Sequence, residues 1–101
     1  MEASEELPGN CKEWKAMQSA EKIVVHGWCV FRGSGFTQEL ERRDSDDPSQ
    51  LVLERVVGFD AARNSGTVKG IAAEYVEQTD VEYKTVRILP DGPTIDVRKG
   101  A

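Results

Sequence analysis

The sequence predicts a mainly β domain of the α+β class: a short N-terminal helix packed on a five- or six-stranded antiparallel meander, left open or curled into a small barrel. Three observations lead there. Lys22–Arg32 is the densest apolar run, with Ile23, Val24, Val25, Trp28, Cys29, Val30 and Phe31 broken only by His26 and Gly27. Shorter apolar or alternating segments follow, separated by Gly-, Pro-, Asn- and Asp-rich turns. Cys11–Glu21, by contrast, is built mostly from good helix formers.

Taken in order, Met1–Asn10 is expected to be a flexible tail and residues 11–101 a single domain. Asn10 suits a helix N-cap, Glu13 stands three positions later, and Trp14 and Met17 are spaced to anchor one helical side. Ile23–Phe31 is rich in β-branched and aromatic residues and reads as a strand. Both of its alternating faces are apolar, so the strand is expected to be central and covered on each side, with Trp28→Ala costing about 3–5 kcal/mol.

Gly33-Ser34-Gly35 is a turn after which Phe36–Arg43 can pair back as a hairpin strand, although its letters also fit one turn of helix. Asp44–Gln50 is a loop, and Leu51–Asp60 is the second strongest strand. Thr67–Gln78 carries a helical stripe of Val68, Ala72, Tyr75 and Thr79. Its Thr-Val start and Gly70 favour a strand. Val81–Leu89 and Thr94–Arg98 complete the set around the tight turn Pro90–Pro93. Short turns join antiparallel neighbours, hence the meander.

Charge and cysteine content narrow the function. Eighteen acidic residues stand against 13 basic ones, giving a net charge of −5 and a pI near 4.9. Phosphate neutralisation needs a clustered basic surface, so nucleic acid is not an expected partner. No apolar run approaches the ~20 residues that cross a bilayer, so no membrane association is expected either. The acidic N-terminus is unlike a secretory leader, and the expected location is cytoplasmic. In that compartment Cys11 and Cys29 are expected to be free thiols, with Cys29 a core residue.

Little in the chain has the form of catalytic chemistry. His26 is the single histidine. On a strand, His26 and Cys29 point to opposite faces and cannot serve as a dyad or as joint metal ligands. No phosphate loop, nucleophile elbow or Cys-x-x-Cys pair occurs. Asp44, Asp46 and Asp47 lack the glycine and closing glutamate of a calcium loop. Neither a cofactor nor a metal is expected.

Two sets of residues remain as binding candidates. His26, Trp28, Tyr75 and Tyr83 could line one concave sheet face, against the alternative that they fill an ordinary core. Asp44, Asp46 and Asp47 project an acidic loop suited to a basic partner. The expected function is therefore a non-catalytic protein–protein interaction or inhibitor module. A small-molecule-binding barrel with its site near Trp28, completed by a homodimer if the sheet is open, ranks second. An enzyme ranks third.

Overall fold

The run that dominates the sequence does form a strand, and six others surround it. The computed structural model describes residues 9–63, 66–90 and 92–100. The strands are β1 (Asn10–Gln18), β2 (Lys22–Phe31), β3 (Phe36–Arg43), β4 (Gln50–Phe59), β5 (Lys69–Gln78), β6 (Thr85–Leu89) and β7 (Thr94–Lys99). A 3-10 turn, Ala61–Arg63, follows β4. The expected tail residues Met1–Pro8 lie outside the described residues, while Asn10 opens β1.

One seven-stranded sheet runs in the order β3-β4-β6-β7-β1-β2-β5. It curls until its two outer strands, β3 and β5, lie side by side, making a nearly closed barrel. Across that seam the Gln38 amide donates to the Ile71 carbonyl at 3.2 Å, and Arg42 meets Glu77 at 3.4 Å. The meander is corrected in two respects. β4 pairs with β6 and β1 with β7 in parallel, and β2 does not pair with β3 despite the short link between them. Gly35, at φ 92°, turns the chain round a barrel corner instead of into a hairpin. Phe31 then stacks on Phe36 across that corner, with ring centroids 4.9 Å apart.

No α-helix is present among the described residues, so the helix expected at Cys11–Glu21 is also corrected. The reason is a bulge. β1 pairs with β2 through Cys11↔Cys29 and Lys12↔Trp28, then resumes at Lys15↔His26, leaving Glu13 (φ 61°) and Trp14 opposite Gly27. Either side of the bulge the period is two, with Ala16 and Gln18 buried and Lys15 and Met17 exposed. The extra residue masks that alternation in the sequence, and good helix formers yield to the partner strand. Gly27 fits the same feature, since a Cβ there would lie 2.5 Å from the Trp14 indole.

The strand at Cys11 has a second consequence. It sets Cys11 directly opposite Cys29, and the two form a disulfide across β1 and β2. The expectation of free thiols is thereby overturned. It followed from the cytoplasmic location read from the sequence, where thiols stay reduced.

Ile23, Val25, Cys29 and Phe31 point into the barrel and are at most 1% exposed. They pack with Leu51, Leu53, Val86 and Ile88, which are equally buried, and with Leu40, Ala16, Ala73 and Tyr83. Val24, His26, Trp28 and Val30 face outward, and Trp28 is 39% exposed. β2 is not central but next to last in the strand order, flanked by β1 and β5, and only one of its faces is covered. A curled sheet has one inside, and the second apolar face becomes outer wall.

Candidate functional site

One end of the barrel gathers five of the seven candidate residues, Asp44, Asp46, Asp47, Tyr75 and Tyr83. Asp44, Asp46 and Asp47 lie in the exposed loop joining β3 to β4. Asp47 shapes that loop: its Oδ1 accepts hydrogen bonds from the Ser49 amide at 2.8 Å and hydroxyl at 2.7 Å, and its carbonyl accepts from the Gln50 amide at 3.0 Å. The Ser49 hydroxyl, then its amide, hold the Asp47 carboxyl below the usual carboxylate range. Among the described residues no ion pair engages Asp44 or Asp46.

The neighbouring arginines are committed elsewhere. Arg43 bonds Glu54 at 2.7 Å and Glu41 at 3.1 Å. Arg42 is held by Glu77. Glu77 also accepts the Tyr75 hydroxyl at 2.6 Å and the Tyr83 hydroxyl at 3.1 Å, so three donors from three segments converge on one carboxylate at the seam. Its side chain is only 13% exposed. Tyr83 reaches the cluster from outside the strands. The buried Gln18 side chain donates to the Val81 carbonyl at 2.5 Å and accepts the Tyr83 amide at 3.0 Å, fixing the connection before β6.

Burial, then the Glu77 hydrogen bond, push the Tyr75 hydroxyl up to about 12. Burial, followed by the Glu77 charge, raises Tyr83 as well. An unfolded tyrosine ionises near about 10. Stability from the Tyr75 hydroxyl is therefore fully present below that value and is lost as pH rises toward about 12, and the raised Tyr83 changes in the same direction. These are the chain's two tyrosines, so phenolate absorbance reads this cluster alone. A titration should begin late and coincide with unfolding. Glu77→Gln should lower the midpoint without restoring the ordinary value, because burial remains.

Beneath the loop a cleft of about 600 Å³ opens, lined by Arg42, Arg43, Asp44, Ser45, Asp47, Gln50 and Tyr83 among others. Carboxylates, guanidinium groups and a phenol in one shallow depression can recognise charged or hydrogen-bonding groups. Among the described residues no three His, Cys, Asp or Glu side chains come together as a metal site.

His26 and Trp28 are not part of this end. His26 pairs with Glu74 and Trp28 with Ala72, whereas Tyr75 pairs with Val25 on the inner face. The expected concave set is thus divided between the two sides of the sheet. Trp28 lies over Gly70, where the absence of a side chain makes room for its indole. The barrel interior beside β2 is filled by core side chains. Sequence reasoning missed Glu77 and Arg42. The signal available was local: Tyr75 and Glu77 stand two apart on a strand and must share a face.

No family model, curated protein or solved structure matches this chain.

Proposed function

We propose that this chain is a non-catalytic binding module that docks a basic protein segment on the Asp44–Ser49 loop and the cleft beneath it. One observation carries the reading: Arg42 and Arg43, the cations closest in sequence to the loop, are paired with Glu77, Glu41 and Glu54, which leaves Asp44 and Asp46 unneutralised. Net charge alone would not support it. Glu2, Glu5 and Glu6 fall in the first eight residues, and the remaining 15 acidic residues nearly balance the 13 basic ones. What matters is where the unpaired charge stands. Exposed carboxylates on a projecting loop steer a cationic partner and fix its orientation.

A small polar ligand in the same cleft is the second reading, favoured by a volume within the ordinary range for ligand sites. A ligand inside the barrel is not favoured, since side chains from all seven strands occupy or border its interior. The disulfide bears on location. Bridged cysteines persist where thiols are oxidised, which favours an oxidising compartment over the cytoplasmic placement expected from sequence.

The test uses isotope-labelled, oxidised protein and a lysine- and arginine-rich peptide. Amide shifts should move at Asp44–Ser49, Arg42 and Tyr83, and Asp44→Asn with Asp46→Asn should remove them while the rest of the spectrum is unchanged. Shifts elsewhere, or a response indifferent to the double substitution, would overturn the assignment.

A further inference from the structure

We infer that the Cys11–Cys29 bridge is a redox latch: a thiol reductant opens it, Asn10–Glu13 swings off β2, and the aromatic end of the barrel is uncovered while the rest of the sheet stays folded. The segment has little else to hold it. Among the described residues β7 pairs with β1 only over Ala16–Gln18, so the ladder partner of Asn10–Glu13 is β2 alone. Asn10, Lys12 and Glu13 are exposed, and Cys11 is half-buried. No ion pair among the described residues engages Lys12 or Glu13. Glu13 also stands at φ 61°, a left-handed conformation that is costly for a residue with a Cβ. A strand end with few buried contacts and one neighbour belongs to the least stable part of a fold.

Beyond the bulge the same strand is anchored. Trp14 lies against Gly27, Ala16 and Gln18 are buried, and Gln18 holds the connection before β6. The hinge therefore falls at Glu13, and the bridge is the covalent tie on its outer side. What it holds down is the Gly9 backbone, which lies on the Phe31 ring closely enough that a Cβ would come within 2.7 Å. Release widens the cavity of about 290 Å³ that Gly9, Asn10, Val30, Phe31, Arg32 and Phe36 line. This is the end of the barrel opposite the Asp44–Ser49 loop, because β3 and β4 run from one to the other.

The exchange takes a dithiol. Its thiolate attacks the sulfur of Cys11, the more exposed of the two residues, and the Sγ–Sγ bond breaks with Cys29 as the leaving thiolate. The reductant's second thiolate then attacks the reductant sulfur of the mixed disulfide and displaces Cys11. Two electrons pass to the protein, each cysteine thiolate takes up a proton, and the reductant departs as its disulfide.

Isotope-labelled full-length protein is compared oxidised, reduced with dithiothreitol, and as Cys11→Ser with Cys29→Ala. On reduction the resonances of Asn10–Glu13 should move to random-coil positions and the cross-strand contact of Lys12 with Trp28 should vanish. Ala16–Gln18, Asp44–Ser49 and the ladders of β3, β4 and β6 should not change. Trypsin should cut after Lys12 about tenfold or more faster than in the oxidised chain, a ratio exceeding any change after Lys22 or Arg43. The double substitution should match the reduced chain with no reductant present. A Lys12–Trp28 contact retained in the reduced or the substituted protein would overturn the inference, leaving the bridge a static staple. Loss of dispersion throughout the spectrum would overturn it too, since the bridge would then hold the whole barrel.

Discussion

Phe31→Ala should lower the free energy of unfolding by about 3–5 kcal/mol, whereas Trp28→Ala should lower it by only about 1–2 kcal/mol. The two residues are three apart on the same strand and similar in apolar content. They differ in which side of the sheet they occupy. Phe31 is 1% exposed, stacks on Phe36 and packs under the Gly9 backbone, where a Cβ would lie 2.7 Å from its ring. Truncating it leaves a cavity inside a barrel whose walls are tied by ladder hydrogen bonds and collapse poorly. Trp28, 39% exposed on the outer wall, packs over Gly70, and solvent takes the place it leaves. Urea unfolding followed by far-ultraviolet circular dichroism compares the two directly. Equal losses, or a larger loss for Trp28, would mean that β2 is turned the other way.

Reduction of the Cys11–Cys29 bridge should cost about 3 kcal/mol by releasing the loop entropy of the unfolded chain over a separation of 18 residues. For a domain of 101 residues that corresponds to a fall in Tm of roughly 10–20 °C. Cys11→Ser with Cys29→Ala should reproduce it, plus a small loss from the buried Cys29 position. Thermal scans with and without a thiol reductant supply the measurement. Two titratable thiols in the oxidised, folded protein, or a Tm indifferent to reductant, would show the pair to be unbridged.

Most strands could be read from the sequence wherever a clean period of two was present. Phe36, Gln38 and Leu40 on β3, and Leu51, Leu53 and Arg55 on β4, take the face that alternation assigns them. Two kinds of information were not local. A bulge at Glu13 and Trp14 shifts the phase by one residue, so the first strand resembles a helix, and the register that sets Cys11 opposite Cys29 is hidden. Strand order depends on which edges meet in space, and a four-residue link after β2 leads round a corner, not into a hairpin. At the candidate site, the loop carboxylates were visible because charge and turn residues coincide there. Arg42 and Glu77 were not, because they lie 35 residues apart and meet only when the sheet curls onto itself.

The most direct test of recognition at the acidic loop is the association rate of a lysine- and arginine-rich peptide against ionic strength, measured for the native chain and for Asp44→Asn with Asp46→Asn. Steering by exposed carboxylates is screened over a Debye length that shortens from about 10 Å at 0.1 M to about 3 Å at 1 M salt. The native rate should therefore fall steeply with salt, and the substituted chain should start slower and respond less. A rate that ignores both salt and the two substitutions would contradict docking at the Asp44–Ser49 loop.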